Sequence, residues 1–164
     1  MKICVGIGEL RVDRSPVILE TRGLGSCVGV TLYDKTTKIG ALCHIMLPNI
    51  NIANEQEIND RNTMFKYADY AIPYIINKMI CMGSEKKDII AKIIGGASMF
   101  RRKSNTLDIG NKNIEAVRSI LKNNNIKVAA EEVGGEMGRT VIFDLNSGIV
   151  MIKIYGINKQ EFEI

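Results

Sequence analysis

The sequence has no tryptophan, only three prolines and a single histidine, His44, in 164 residues. None of its apolar runs reaches the ~18 residues that a helix needs to cross a bilayer. Met1 leads directly into a strand-like stretch, without the apolar core and cleavage site of a signal peptide. These absences predict a cytoplasmic protein that inserts no segment into a membrane.

The four cysteines are unevenly spaced and form no C-x-x-C pair. In the cytoplasm such thiols stay reduced, so cysteine chemistry is available. Cys43 and His44 are adjacent, which would point them to opposite faces of a strand and argues against a zinc site. Cys4, Cys43 and Cys81 each lie among apolar residues, a setting typical of buried thiols. We therefore expect neither a metal nor a cofactor.

Charge and glycine patterns argue against two other classes of partner. The net charge is only +4, and the densest basic cluster, Arg101–Lys103, is more typical of a solvated loop than of a nucleic-acid site. The segment Gly23–Gly25 lacks the third glycine of a dinucleotide fingerprint, and a P-loop lysine is missing. The pairs Gly95–Gly96 and Gly134–Gly135 favour tight turns. We expect no nucleic-acid partner.

Length and a hydrophobic content of 46% predict one domain spanning residues 1–164. Periodicity predicts two main helices, Asn62–Met82, which Pro73 should kink or split, and Asn111–Asn123. The polar segment Asn49–Asp60 predicts a mobile loop. Six to eight strands are predicted, from the segments Ile3–Gly8, Pro16–Glu20, Val28–Tyr33, Ile39–Leu47, Asp88–Ile94, Ile126–Val133, Arg139–Leu145 and Gly148–Tyr155. This order lacks a regular β-α-β repeat and indicates a layered α+β or mixed α/β domain.

Two of these segments bring the cysteine at position 27 close to the only histidine. Val28–Tyr33 and Ile39–Leu47 flank a short polar turn, which predicts a β-hairpin. If Lys35–Thr36 form a two-residue loop, Cys27 lies directly opposite His44, with Cβ atoms roughly 4.5–5.5 Å apart. A four-residue loop is expected to keep this pairing, whereas a three-residue loop would place the pair on opposite faces. Because imidazole can take a thiol proton near neutral pH, the pair predicts a cysteine-dependent enzyme.

A structural interpretation of each residue stays open at this point. A cysteine in an apolar segment is most often a small buried hydrophobe, and a lone histidine is more often structural than catalytic. Cys27 fits that description less well, because Gly23, Gly25 and Gly29 leave its surroundings bare of side chains. Glycine is used where the backbone bends sharply or must approach a ligand closely. If Cys27 and His44 do not meet, the chain is an ordinary α/β domain without visible chemistry.

Five ordered blocks of sequence extend this picture over about residues 3–155. They are Thr21-x-Gly23-Leu24-Gly25-Ser26-Cys27-Val28, His44-Ile45-Met46-Leu47-Pro48, Lys92-Ile93-Ile94-Gly95-Gly96-Ala97-Ser98-Met99-Phe100, Ile109-Gly110-x-x-Asn113, and Gly134-Gly135-x-x-Gly138-Arg139 with Phe143, Ser147-Gly148 and Lys153. Together they resemble the CheD family, the chemoreceptor glutamine deamidases of bacterial and archaeal chemotaxis. Lys112, Ser147 and Cys43 depart from the residues most usual in that family, and none is a catalytic position.

The resemblance implies hydrolysis of particular glutamine side chains in methyl-accepting chemotaxis receptors, which yields glutamate and ammonia. It places the nucleophile on Cys27, the base on His44 and the third catalytic position on Thr21. It also implies a fold similar to the cytotoxic necrotizing factor deamidases, a layered sandwich of mixed β-sheets with helices packed outside. Some members bind CheC, a phosphatase, which makes a CheC-type protein an expected partner beside the receptors.

A cysteine mechanism for this reaction passes through a thioester and needs no metal. The backbone N–H groups of Ser26 and Cys27 are the expected oxyanion donors, and Gly23 and Gly25 are expected to leave access for a side-chain amide. Other functions stay open: a non-catalytic adaptor that binds CheC or a receptor, a cysteine peptidase, and a receptor methylesterase.

Overall fold

The computed structural model describes residues 1–98 and 108–164. The Arg101–Lys103 cluster and the end of the third sequence block, Met99–Phe100, lie outside the described residues. The described strands are β1 (Lys2–Cys4), β2 (Leu10–Arg14), β3 (Ile18–Leu24), β4 (Val28–Asp34), β5 (Ile39–Ile45), β6 (Ile89–Gly95), β7 (Lys127–Val133), β8 (Arg139–Asp144), β9 (Val150–Ile154) and β10 (Gln160–Glu163). The described helices are α1 (Glu55–Asn59), α2 (Arg61–Met64), α3 (Ala68–Cys81) and α4 (Ile109–Asn123), with short 3₁₀ turns at Ile50–Ile52 and Lys86–Asp88.

The strands form two five-stranded sheets, in the orders β1-β3-β8-β9-β10 and β2-β5-β4-β6-β7. Each sheet is mixed, because β1 runs parallel to β3 and β6 runs parallel to β7 while the other pairs are antiparallel. Side chains of the two sheets share one apolar core, and helices α3 and α4 share a second core with the other face of the β4–β5 sheet. The prediction of a layered α+β fold with mixed sheets is therefore confirmed.

Strands β4 and β5 lie in the middle of these layers and are buried at every residue. Val30 and Ala41 belong to the core under the helices, whereas Tyr33 and Leu42 belong to the core between the sheets. Because both faces are covered, the two strands are nearly continuous runs of apolar residues and do not alternate between apolar and polar residues. His44 lies on the inter-sheet face of β5, two residues after Leu42.

The hairpin that joins β4 and β5 has a different register from the one predicted. Asp34 pairs with Ile39, so the loop contains four residues, Lys35–Lys38. The expectation that a four-residue loop keeps Cys27 opposite His44 is wrong, because both extra residues come from the β5 side instead of one from each strand. The Asp34 carboxylate accepts hydrogen bonds from the backbone N–H groups of Thr36 and Thr37, which stabilises this longer turn. His44 is therefore opposite Gly29, not Cys27. The shift is an even number of residues, so Cys27 and His44 still lie toward the same face.

The helix predicted at Asn62–Met82 is interrupted, but not at Pro73, which lies inside α3. The break lies between α2 and α3, where the chain pairs with the segment after β5. The Lys66 carbonyl accepts hydrogen bonds from the N–H groups of Met46 and Leu47, and Leu47 forms a parallel bridge with Tyr67. These bonds outweigh local helical preference and tie down the backbone that follows His44.

Several other expectations differ from the structure. The predicted mobile loop contains α1, whose first turn is closed by a capping box between Asn54 and Glu57. Strands β2 and β10 were not predicted, and both are edge strands that bury few side chains. Cys4 and Cys81 are exposed, because Cys4 lies on the edge strand β1 and Cys81 ends α3, whereas Cys43 is buried as predicted. No helix in residues 1–98 or 108–164 has the length and hydropathy of a membrane span.

Candidate active site

The clearest polar contact between the two sheets joins Thr21 on β3 to His44 on β5. The Thr21 hydroxyl oxygen, Oγ1, lies 2.7 Å from Nδ1 of His44 and 2.7 Å from the carbonyl oxygen of Val5. Both side chains are buried, Thr21 at 1% and His44 at 0% exposure. The contact thus lies in the layer between the sheets, where a polar group without a hydrogen-bond partner is costly.

These two contacts determine which nitrogen of His44 carries the proton. The Val5 carbonyl can only accept, so the single hydroxyl proton of Thr21 is donated to it. Oγ1 must then accept from His44, which places the ring proton on Nδ1. Nε2 is left with a free lone pair, and it has no hydrogen-bond partner among the described residues. Nε2 is therefore the nitrogen of His44 that is available to accept a proton.

Gly29 makes this approach of the sheets possible. It pairs with His44 across the hairpin and faces the same layer. A Cβ at this position would lie 3.0 Å from Cδ1 of Leu24 and 3.8 Å from Cγ2 of Thr21. A side chain here would require the Leu24 side chain to shift, so the glycine leaves space beside the Thr21–His44 contact.

Cys27 lies one residue before β4, at the end of the turn that follows β3. Its side chain is half-buried and packs against the core between the sheets, the layer that contains His44. The thiol–imidazole hydrogen bond expected from direct pairing is not formed, since Nε2 of His44 has no partner in the described part of the chain. Diagonal neighbours on one face of a hairpin are farther apart than direct pairs, at about 7–8 Å, which accounts for this difference.

Burial favours the neutral forms of both the Cys27 thiol and the His44 imidazole. It raises the pKa of the Cys27 thiol above its ordinary value, and it lowers the pKa of His44 to about 4. At neutral pH the resting site therefore holds a neutral thiol beside a neutral imidazole. Such a pair suits proton transfer at the moment when the thiol attacks, rather than a stored thiolate.

Three hydrogen bonds, each accepted by one of three successive carbonyl groups, hold the turn that contains Cys27. Ala97 N–H donates to the Gly25 carbonyl at 2.8 Å, and Gly96 N–H donates to the Cys27 carbonyl at 2.8 Å. The Ser26 carbonyl accepts from Nδ2 of Asn113 at 3.0 Å. With all three carbonyls fixed on the β6–α4 side, the backbone of the turn has a single defined orientation.

The N–H groups of Ser26 and Cys27 are not used by the main-chain or side-chain hydrogen bonds found within the described ranges. Unpaired N–H groups in a rigid turn next to a nucleophile are the usual construction of an oxyanion hole. Gly23 lies just before this turn, near the end of β3, where the register with β8 shifts between Thr21 and Leu24. Its φ is +71°, and a Cβ there would contact nothing within 4 Å. The surface beside the turn is therefore open at Gly23.

Asn113 was part of a sequence block, but its place in the site was not predicted. It lies on the buried stripe of α4 with Ile114, Val117 and Leu121, and it is fully buried. The available signal was a polar residue in an apolar helical stripe, which is a recurrent mark of a structural or functional hydrogen bond. Within residues 1–98 and 108–164 no group of three or more His, Cys, Asp or Glu side chains could hold a metal ion.

Comparison with known proteins adds an independent line of evidence. A family model described as CheD chemotactic sensory transduction matches residues 46–154. A protein of Clostridium botulinum (strain Eklund 17B / Type B), named probable chemoreceptor glutamine deamidase CheD, is 48% identical over 162 residues. That match covers 98% of this chain and 97% of the relative. A protein of the same name from Clostridium botulinum (strain Hall / ATCC 3502 / NCTC 13319 / Type A) is 44% identical with the same coverage.

Among solved structures, the hypothetical protein YfiH of Bacillus licheniformis superimposes with a TM-score of 0.48 at 15% sequence identity. The match covers 75% of this chain and 49% of the other. The family model begins after Thr21, Cys27 and His44, whereas the C. botulinum relatives extend over nearly the whole chain.

Proposed function

This chain belongs to the CheD family, and we propose that it hydrolyses glutamine side chains of methyl-accepting chemoreceptors through Cys27, His44 and Thr21. Its relatives are named chemoreceptor glutamine deamidases, so the enzyme class is that of a protein-glutamine glutaminase. The products are a glutamate on the receptor and ammonia. The observation that carries the mechanism is the Thr21–His44 contact, which leaves Nε2 of a buried imidazole unprotonated on the face toward which Cys27 points.

In the first step the Cys27 sulfur attacks the carboxamide carbon of the glutamine while its proton passes to Nε2 of His44. A sulfur–carbon bond forms, and the carbonyl oxygen becomes an oxyanion. The N–H groups of Ser26 and Cys27 stabilise that charge, and removal of one such donor typically costs ~10²–10³ in rate. Collapse of the intermediate breaks the carbon–nitrogen bond, and His44 donates its proton to the departing ammonia.

In the second step water hydrolyses the thioester on Cys27. Nε2 of His44, now unprotonated again, takes a proton from the water as its oxygen attacks the thioester carbon. The carbon–sulfur bond breaks, the proton returns to sulfur, and glutamate is released. Thr21 keeps the imidazole in one orientation and one tautomer throughout, which is the role of the third group in a catalytic triad.

The receptor glutamine reaches Cys27 past Gly23 and Gly25 in our proposal. A glutamine carries its amide on a flexible side chain, so the turn must admit a narrow group beside the backbone. The empty space around Gly23 supports this direction of approach. A side chain at Gly23 would project into the path of the substrate.

The experiment compares wild type with Cys27→Ala on a purified receptor cytoplasmic fragment, with ammonia release and peptide mass mapping as readouts. We expect wild type to convert one or more glutamines to glutamate and Cys27→Ala to convert none while staying folded. Cys43→Ala is the matched control, because Cys43 lies on the other face of the hairpin and under the helices. Ammonia release from Cys27→Ala at the wild-type rate would contradict the mechanism.

The same experiment separates the other candidate functions. A peptidase would cut the receptor chain, and a non-catalytic adaptor would bind the receptor without changing its mass. A methylesterase would remove methyl groups from receptor glutamates through the same thioester. The buried base and the prepared turn favour turnover over adaptor binding, because binding alone needs neither.

Three further features belong to this proposal. We propose that residues 1–164 act as one domain, that the two-sheet sandwich is related to that of the cytotoxic necrotizing factor deamidases, and that the protein works in the cytoplasm. A CheC-type phosphatase is the proposed second partner. Co-elution of the purified proteins tests that partner, and separate elution at micromolar concentrations would contradict it.

A further inference from the structure

The side-chain amide of Asn113 connects the two backbone segments that carry the nucleophile and the base. Nδ2 donates to the carbonyl of Ser26 at 3.0 Å and to the carbonyl of Met46 at 3.0 Å. Ser26 immediately precedes Cys27, and Met46 follows His44 by two residues. We propose that Asn113 is a positioning residue that sets the distance between the Cys27 thiol and the His44 imidazole. The role in deamidation rests on the function proposed above.

The chemistry of the contact leaves one orientation for the amide. Both partners are carbonyl oxygens, which can only accept, so the NH₂ group and not the amide oxygen must face them. Each of the two hydrogens of Nδ2 has its own carbonyl, and the donor capacity of the group is therefore fully used. A carboxylate of the same shape at this position would present oxygens to both carbonyls and repel them.

The position of the bridge explains why it is needed. The β4–β5 ladder ends with the pair Val28 and Ile45. Ser26 and Met46 lie beyond that pair, where main-chain pairing no longer determines the spacing of the two segments. Asn113 takes the place of the ladder there, because its Nδ2 donates a hydrogen bond to each of the two carbonyls.

Asn113 is itself held rigidly. It lies one helical turn after Gly110, and a Cβ on Gly110 would lie 2.6 Å from the carbonyl oxygens of both Gly96 and Ala97. The start of α4 therefore packs directly on the turn after β6. The same turn fixes the Gly25 and Cys27 carbonyls, so helix, turn and nucleophile form one connected unit.

The burial of Asn113 argues against a role in packing alone. The residue has no exposed surface, and its Oδ1 has no hydrogen-bond partner in the described part of the chain. A buried unpaired acceptor is unfavourable, and an apolar side chain would avoid that cost on a stripe otherwise made of Ile114, Val117 and Leu121. The donor function of Nδ2 is the feature that an apolar residue would lack.

The test uses Asn113→Asp and Asn113→Ala, with Val117→Ala as the control for lost helix packing. Val117 is fully buried on the same face of α4, about one helical turn after Asn113, and belongs to the apolar core under the helices. We expect kcat on the receptor fragment to fall about 10²-fold in Asn113→Asp, the loss typical of a misplaced reacting group, with KM within about twofold of wild type. Val117→Ala should keep the wild-type kcat for its folded fraction.

Alkylation of Cys27 by iodoacetamide gives a second readout that does not depend on deamidation. Exposed Cys4 and Cys81 are replaced by serine in every protein compared. We expect the pH profile of Cys27 alkylation in both Asn113 variants to move toward that of His44→Ala, while Val117→Ala keeps the parental profile. If wild type proves inactive on receptors and this shift is still seen, the positioning role stands and only the proposed function fails.

Two results would overturn the inference. One is a folded Asn113→Asp with kcat within twofold of wild type and an unchanged alkylation profile. The other is a loss of activity in the Asn113 variants that matches Val117→Ala at equal stability, measured by urea unfolding. That outcome would assign Asn113 to the stability of α4 alone.

Discussion

Oγ1 of Thr21 lies 2.7 Å from Nδ1 of His44, and this contact joins strands that belong to different sheets. Because the Thr21 proton is donated to the Val5 carbonyl, the hydroxyl can only accept from the imidazole. The tautomer of His44 is thus determined by the backbone carbonyl of Val5, which is connected to the imidazole through the Thr21 hydroxyl. The buried hydrogen bonds that join Val5, Thr21 and His44 thus link the packing of the two sheets to the protonation of the imidazole.

Replacement of Thr21 tests the role of these hydrogen bonds. Thr21→Val keeps the shape of the side chain and removes the hydroxyl, which leaves the Val5 carbonyl and the His44 N–H buried without partners. We expect a loss of about 1–3 kcal/mol in the free energy of unfolding and a fall in kcat of about 10²-fold or more. Thr21→Ser should keep most of the activity. Steady-state kinetics and urea unfolding of both variants make the comparison, and equal activity of the Val and Ser variants would refute the role of the hydroxyl.

Acid should weaken the fold through His44. Burial holds the pKa of His44 at about 4, below its ordinary value of 6.5. Between these values the unfolded state binds a proton that the folded state does not, so stability is present above pH 6.5 and is lost as the pH falls toward 4. The loss is roughly 3 kcal/mol in the free energy of unfolding. Urea unfolding at several pH values measures it.

His44→Gln is the control for this acid effect, since glutamine does not titrate. Burial opposes but does not prevent a lowered pKa of Asp34, which hydrogen bonds from Thr37, Ser84 and Thr36 cause, and this shift also makes the fold weaker in acid. The difference between wild type and His44→Gln isolates the histidine. Parallel stability curves for the two proteins between pH 4 and pH 7 would contradict the assignment.

Two glycines with positive φ offer a matched test of the Cys27 turn. Gly95 has a φ of +105°, and a Cβ there would lie 2.5 Å from the carbonyl oxygen of Cys27. Gly134 has a φ of +79° and open space around the same position. Both alanine variants incur backbone strain, because L side chains rarely adopt such positive φ values, but only Gly95→Ala must displace the turn that contains Cys27. We expect activity to be lost in Gly95→Ala and kept in Gly134→Ala, as measured by ammonia release.

The three cysteines outside the Cys27 turn should differ in reactivity under native conditions. Cys4 and Cys81 are exposed and should be alkylated readily, whereas burial raises the pKa of Cys43 to about 12. Cys43 should therefore stay unmodified until the protein unfolds. Peptide mapping after brief treatment with iodoacetamide identifies the labelled residues. Labelling of Cys43 as fast as Cys4 would mean that the helices do not cover β5 in solution.

Local patterns in the sequence predicted much of the fold. The segments for β4, β6 and β7 and the helix α4 were found within a few residues of their observed ends, because their apolar periodicity reflects the layers that cover them. The helix break at residues 65–67 could not be found in this way. It depends on hydrogen bonds to Met46 and Leu47, which lie about twenty residues earlier in the chain.

The sequence by itself determined that one cysteine in a glycine-rich turn and the only histidine lie at the same end of one hairpin. Their shared face follows from the two-residue period of strands, which survives an even shift in register. The register depends on the four-residue loop that the Asp34 carboxylate closes locally, whereas only the tertiary structure decided the partners of the site. Thr21 reaches His44 from another sheet and Asn113 reaches Ser26 from a distant helix, and such contacts have no local sequence period. They form because the burial of two apolar cores brings those elements together.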